Sequence, residues 1–207
     1  HAYFLARKLL TLGACAPPRV SAKSAPSTSF INKESMNDKL NVPILLGTAR
    51  EGRQSEKVAK FVLVEAHQYG FDSQLIDVRD YLTTLIDKTK HDTPWAGIVK
   101  KANGLIIVSP EYNHGYPGEL KLLLDSLYKE YLDLPIGICG VSGGLVGGAR
   151  VAMALEPVLI EIGARVVRPI NLFPQVQNLF DATGNPIDPK ITDKLKLMFD
   201  NIIKFAR

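Results

Sequence analysis

The chain has 207 residues, 46% of them apolar and 22% charged, a length and composition that suit one globular domain with a substantial core. Its formal net charge of +4 sits wholly in the first 35 residues, where Arg7, Lys8, Arg19, Lys23 and Lys33 outnumber a single acid, Glu34; the remainder carries 20 basic and 20 acidic side chains. A neutral body has no electrostatic footprint for nucleic acid, and no apolar stretch approaches the length of a membrane span, so nucleic-acid binding and membrane spanning are excluded.

Residues 1–36 are rich in Ala, Ser, Pro and basic side chains and show no sustained period. This predicts a disordered N-terminal extension, helical at most near Tyr3 to Leu12, ahead of a folded domain over 37–207. Three readings of the extension compete. It resembles an organellar transit peptide in being basic, serine-rich and almost free of acid. Leu12-Gly13-Ala14-Cys15 is weakly similar to a lipoprotein signal, although the apolar stretch after Arg7 and Lys8 is short. Alternatively, because the chain starts at His1 and Met36 stands just before the first foldable residues, 1–35 reads as upstream or vector-encoded translation. The expected location is the cytoplasm, or an organelle if the extension is a native transit peptide.

From Met36 onward strands and helices alternate. The predicted elements are a strand over Val42 to Leu46, a helix from Ser55 to Tyr69 stopped by Gly70, and a strand over Ser73 to Val78. A polar loop from Arg79 to Pro94 leads to a short helix over Trp95 to Ala102 and a strand over Leu105 to Val108. Helix C then covers Gly118 to Tyr131, strand four Pro135 to Val141, helix D Gly148 to Ile162, and strand five Arg165 to Ile170. Asp188 and Pro189 start a last helix whose apolar stripe is Ile191, Leu195, Met198 or Phe199, and Ile202. Five short apolar strands separated by helices predict an α/β three-layer sandwich, a five-stranded parallel sheet with helices on both faces, for which we take the strand order 2-1-3-4-5.

Three loops of this pattern carry the chemistry. Gly47 to Ser55 reads GTAREGRQS and brings hydroxyls, arginines and backbone N–H groups to a helix start, where phosphate binds. Ser109 to Glu119 reads SPEYNHGYPGE, too flat and polar to be core, and Ser142 to Gly148 reads SGGLVGG. Each glycine cluster alone reads equally as tight-turn chemistry. In the expected strand order all three meet on one rim of the sheet, where open α/β sheets bind ligands, and a phosphorylated planar cofactor such as FMN suits such a rim. No lysine follows the first loop, so it is not a nucleoside-triphosphate P-loop.

The residues Gly47-Thr48-x-Arg50 with Ser55, Pro110-Glu111-Tyr112-Asn113 with Pro117-Gly118, and Ser142-Gly143-Gly144 with Gly147-Gly148 resemble the NADPH-dependent FMN reductase family over about Val42 to Ile203. That flavodoxin-like group includes quinone, azo-dye and chromate reductases. The chain departs from many relatives in carrying Asp125-Ser126 instead of Asp-Trp, and its first loop has the longer form with Arg53 and Gln54. The resemblance implies an NAD(P)H oxidoreductase with FMN and NADPH or NADH as cofactors, passing two electrons in ping-pong fashion through flavin N5 to a quinone, azo compound or free flavin. It implies that Thr48, Arg50, Gln54 and Ser55 hold the phosphate end; the longer loop leaves open which of Arg50 and Arg53 meets the phosphate, and Arg53, read as the more exposed, is either a solvated arginine or a contact to that phosphate or to the 2′-phosphate of NADPH. Pro110, Glu111, Tyr112, Asn113, His114 and Gly115 run along the ring, offering backbone N–H groups, with Gly115 making the turn. Ser142, Gly143, Gly144 and Gly147 come close for want of side chains.

No catalytic residue is named, because hydride transfer needs alignment more than an acid or base. His114 reads as a proton donor to the acceptor or as a surface loop residue; His67 and His91 read as surface groups. Cys139 reads as a small buried apolar residue, and with Cys15 in the extension it makes neither a metal site nor a disulfide. Helices C and D are apolar on more than one face, which predicts a homodimer or tetramer, unless the segment Phe173 to Pro186 covers them. A small-molecule electron acceptor is the other expected partner. Two further classes remain open: a flavodoxin-type single-electron carrier and a flavin-free binding module on the same fold. Deleting residues 1–35 is expected to leave melting temperature and flavin content unchanged, as checked by calorimetry and absorbance of the purified truncation.

Overall fold

In the computed structural model, residues 39–82 and 92–207 are described. The N-terminal extension with Cys15 and Met36, His91 and most of the polar loop before Pro94 lie outside the described residues.

The strands are β1 (Ile44–Leu46), β2 (Leu75–Asp77), β3 (Leu105–Pro110), β4 (Pro135–Val141), β5 (Arg165–Val166) and β6 (Asn171–Phe173). They form one parallel sheet of order β2-β1-β3-β4-β5, with β6 also pairing with β4. The helices are α1 (Ser55–Tyr69), α2 (Pro94–Lys101), α3 (Gly118–Asp125), α4 (Ala149–Glu161) and α5 (Lys190–Phe205).

Side chains alternate across the sheet, and both faces are buried. Leu45, Leu105, Ile107, Ile136 and Ile138 pack beneath α2, α3 and α4, whereas Ile44, Leu46, Ile106, Val108, Cys139 and Val141 pack beneath α1 and α5. From α5, Leu195, Met198, Phe199 and Ile202 are all buried, so Met198 and Phe199 share the stripe. Gly137 makes this possible: a Cβ there would lie 2.6 Å from Met198 Sδ.

Local signals explain the helix limits. Gly70 adopts φ 107° and its N–H closes the carboxyl end of α1 on Ala66 and His67. Thr93 caps α2 by accepting the Ala96 N–H at 3.1 Å, and Pro94 takes the first turn.

Two elements differ from the pattern-based expectation. Helix C stops at Asp125 rather than reaching Tyr131. The Ser126 hydroxyl donates to the Leu123 carbonyl at 2.6 Å, and a separate 3-10 turn, Lys129–Tyr131, follows. There Tyr131 is buried and its hydroxyl accepts the Trp95 indole N–H at 2.8 Å. Strand five is interrupted: β5 pairs with the start of β4 and β6 with its end, and Pro169 between them has no N–H for the ladder.

Candidate active site

Loops after β1, β3 and β4 meet at the carboxyl edge of the sheet around a cavity of about 370 Å³, within the range of small-molecule sites. Nine expected site residues line it: Arg50, Arg53, Gln54, Ser55, Pro110, Glu111, Tyr112, Ser142 and Gly143. Glu51, Gly52 and Val141 also line it, and Val176 and Gln177 complete the wall. Neither was singled out in the sequence, because they lie beyond β6 in a segment without a glycine motif; Gln177 Nε2 donates to the Gly143 carbonyl at 3.3 Å.

The amino end of α1 faces this space. Its N-cap, Gln54, makes no side-chain cap bond; the Glu56 and Lys57 N–H groups turn back to the Arg53 and Gln54 carbonyls at 3.4 and 3.1 Å, which leaves the Ser55 N–H as the first-turn donor without a protein acceptor among the described residues. Ser55 is buried, and its hydroxyl has no hydrogen-bond partner. An uncapped helix start beside a buried, unsatisfied hydroxyl fits an anionic oxygen. Arg50 is exposed, has no ion pair among the described residues, and sits with its guanidinium carbon 5.5 Å from the centroid of the Tyr112 ring.

Arg53 is not the exposed arginine that the sequence suggests. Only 8% of it is accessible. Its guanidinium pairs with both carboxylate oxygens of Asp77 at the end of β2, donates to the Thr48 carbonyl, and keeps Nε 3.5 Å from Glu56. The Asp77 hydrogen bond outweighs desolvation and raises the Arg53 pKa above its ordinary value. Burial pushes the Asp77 carboxyl up, but the bonds from Arg53 and the Arg79 N–H prevail and hold it below the ordinary value of 3.8. Arg79 adds a second clamp by donating to the carbonyls of Ala49 at 3.0 Å and Arg50 at 2.6 Å.

The other six expected residues lie away from the cavity lining. Thr48 is fully buried: its hydroxyl lies 3.1 Å from Glu119 Oε1 and 3.2 Å from the Tyr112 hydroxyl, and accepts the Arg50 N–H at 3.3 Å. Glu119 also accepts the Ala49 N–H at 2.7 Å. It closes the loop from the α3 side, a role hidden in sequence because an acid in the first turn of a helix is commonplace. Asn113 and His114 are exposed at the tip of a tight turn, with φ 50° and 66°. They supply the positive dihedrals, so Gly115 is not the turn-maker; it exchanges both backbone bonds with Tyr112 at 2.9 Å. That exchange consumes the Tyr112 N–H, and the Glu111 N–H donates to Val141 O at 2.8 Å, so neither is free for a ring as expected. Gly147 packs on β6 instead of on the cavity, because a Cβ there would meet Pro174 at 2.9 Å. Gly144 is exposed, and its carbonyl accepts the Gln175 N–H at 3.0 Å.

The Glu111 carboxylate accepts from Arg150 Nη1 at 2.9 Å and from the Arg150 N–H at 3.3 Å, tying the second loop to the start of α4. Cys139 is fully buried, which raises its thiol pKa. Among the described residues, no group of three or more His, Cys, Asp or Glu could hold a metal, and no helix is long and apolar enough to cross a membrane.

Residues 40–177 match the model of the NADPH-dependent FMN reductase family. The chain belongs to this family. It is 30% identical over 172 residues to a quinone reductase of Escherichia coli, covering 77% of this chain and 92% of that one. It is also 30% identical over 128 residues to an NAD(P)H-dependent FMN reductase of Schizosaccharomyces pombe, covering 56% of this chain and 63% of the yeast protein. The flavoenzyme NAD(P)H:(acceptor) oxidoreductase FerB from Paracoccus denitrificans superposes with a TM-score of 0.71 at 21% identity, over 81% of this chain and all of that one, and shows the fold. Family membership makes the chain an oxidoreductase and implies FMN and NADH or NADPH as its cofactors.

Replacing Arg53 or Asp77 with Ala is expected to destabilise the fold by about 2 to 4 kcal/mol in chemical denaturation, because either change strands a charge in a largely buried pair. The folded Asp77 pKa is depressed, so its contribution is complete above the ordinary carboxylate value and disappears as pH falls through the lower folded value. The stability gap between wild type and Asp77→Asn should therefore close in acid.

Proposed function

We propose that the protein is an NAD(P)H-dependent FMN reductase acting on quinone-like acceptors, with FMN held in the cavity between the three loops. The observation that carries this reading is the unpartnered, buried Ser55 hydroxyl at the uncapped start of α1, with Arg50 as the uncommitted cation beside it. The Ser55 hydroxyl and N–H would hold the cofactor phosphate, and Arg50 would leave the Tyr112 ring to pair with it. Tyr112, Pro110 and Gly143 would flank the ring. Bound FMN would supply the chemistry that no side chain here has, taking a hydride from NAD(P)H and passing it to the acceptor. The residues would exclude water from one side and fix the geometry, leaving the other side open to one substrate at a time.

We further infer that two copies pair through α4. Met153 is 71% and Ile160 64% exposed, and Leu145 and Val146 add apolar surface in the loop before it. Leu127 and Leu159, by contrast, are buried within one copy and belong to its own core.

Arg50→Ala should weaken FMN binding by about 1.5 to 3 kcal/mol, the scale of a hydrogen bond to a charged group, or one to two decades in affinity. Fluorescence titration of the apoprotein measures this; an unchanged affinity would remove Arg50 from the phosphate. Steady-state kinetics with NADH or NADPH and a quinone should give parallel double-reciprocal lines, and intersecting lines would overturn the one-at-a-time scheme. Met153→Glu with Ile160→Glu should convert a dimer to a monomer in sedimentation, and a wild type that is already monomeric at micromolar concentration would sink the pairing.

A further inference from the structure

A second cavity, of about 570 Å³, runs along the outer face of α1 and is closed on its far side by residues 180–186. Along the chain its lining begins just past that of the first. Gln54 and Ser55 line one cavity and Lys57 opens the other on α1; Val176 and Gln177 line the first, and Phe180 begins the second. A rise of about 1.5 Å per helical residue puts the two within a turn of each other.

The wall of this groove changes character along the helix. Lys57, two residues past Ser55 and exposed, makes no ion pair among the described residues, whereas Lys60 is held by Glu56 at 2.8 Å. The Phe61 and Phe180 rings, 5.5 Å apart, form an apolar floor with Val64, which is 51% exposed. Beyond them comes Glu65. The other nearby carboxylate, Asp181, already accepts the Thr183 N–H at 2.9 Å, the Thr183 hydroxyl at 2.7 Å and the Asn185 N–H at 2.9 Å. Its charge is therefore turned into its own loop, which leaves Glu65 as the open acceptor.

Cation, apolar platform and acceptor, in that order from the flavin end, complement a diphosphate, a purine face and an exocyclic amine. Resting on the reductase reading above, we propose that this groove binds the adenosine half of NAD(P)H, with Lys57 at the diphosphate and Glu65 at the purine amino group. The apolar surface of Phe61, Val64 and Phe180 lies under the base. The nicotinamide half then occupies the open side of the first cavity. Lysine suits the diphosphate as a point charge that tolerates more than one phosphate geometry.

The test compares rapid reduction of the FMN-loaded enzyme by NADH, by NADPH and by reduced nicotinamide mononucleotide, which lacks the adenosine. Lys57→Ala and Val64→Glu should each raise the dissociation constants for NADH and NADPH about tenfold. The limiting rate, the FMN content and reduction by the mononucleotide should stay unchanged. Calorimetric titration with ADP should show binding to wild type that both variants weaken. Unchanged constants for NADH and NADPH, an equal loss with the mononucleotide, or no heat with ADP at millimolar concentration would each overturn the assignment while leaving the reductase reading intact. A wild type that none of the three donors reduces would overturn both.

Discussion

The Arg53 guanidinium, buried between the Thr48 carbonyl and the Asp77 carboxylate, is the constraint on which the first loop depends. A buried cation costs several kcal/mol in desolvation, and that cost is met only where its donors find well-placed acceptors. Here the acceptors come from the carboxyl ends of two adjacent parallel strands. The pair therefore locks β2 to the loop after β1, at the position where β1 ceases to make ladder bonds. The terminal nitrogens of Arg53 are committed to protein, and only the buried Nε, 3.5 Å from Glu56, is left without a hydrogen-bond partner. The cation free to respond to an anion is Arg50, three residues earlier on the exposed side of the same loop.

The same division recurs around the rim. Towards α3 the first loop is closed, because Glu119 takes the Ala49 N–H and approaches the Thr48 hydroxyl, which itself reaches Tyr112 in the second loop. Towards α1 the loop is open, with an uncapped helix start and an unsatisfied hydroxyl. Acids on one side and missing acceptors on the other give the loop a polarity: it is rigid where it meets protein and receptive where it meets the cavity. Glu111 repeats the device in the second loop by neutralising Arg150 at the start of α4, and that link holds the second and third loops in register.

The parts of this arrangement that local periodicity or turn chemistry controls were legible in the sequence. Uninterrupted apolar runs in β1, β3 and β4, separated by helices, marked a parallel sheet covered on both faces, and Ser55 and Gly70 bounded α1 to the residue. Convergence of the three loops followed from topology alone. What escaped depended on partners distant in sequence. Arg53 reads as a solvated loop residue until Asp77, 24 positions on, is seen to be in contact with it. Thr48 reads as a phosphate ligand until the Glu119 carboxylate is found beneath it. The turn at Asn113 and His114 misled for the opposite reason: Gly115 is the residue expected to make the turn, yet the two residues before it take the positive φ while it closes the hydrogen-bonded pair. Strand five was read through Pro169 because Val166 and Val167 before Arg168-Pro169 and Ile170 after it read as one apolar run.

Placement on the sheet separates the surfaces that remain uncovered. Through Ala152, Leu155, Leu159 and Ile162, α4 packs with α2 and α3 on one face; through Val58, Phe61, Val62 and Ala66, α1 packs with α5 on the other. A sheet with helices on both sides keeps these outer surfaces a full three layers apart. Pairing through the exposed Met153 and Ile160 would thus leave the groove beside Val64 and Phe180 in solvent. Energetic coupling between sites so far apart is small unless a shared element moves. The element they share is the loop rim, where Leu145 and Val146 adjoin Ser142 and Gly143. Any influence of assembly on the candidate site therefore has to pass through the third loop, whose backbone Gln175 and Gln177 already hold to the segment after β6.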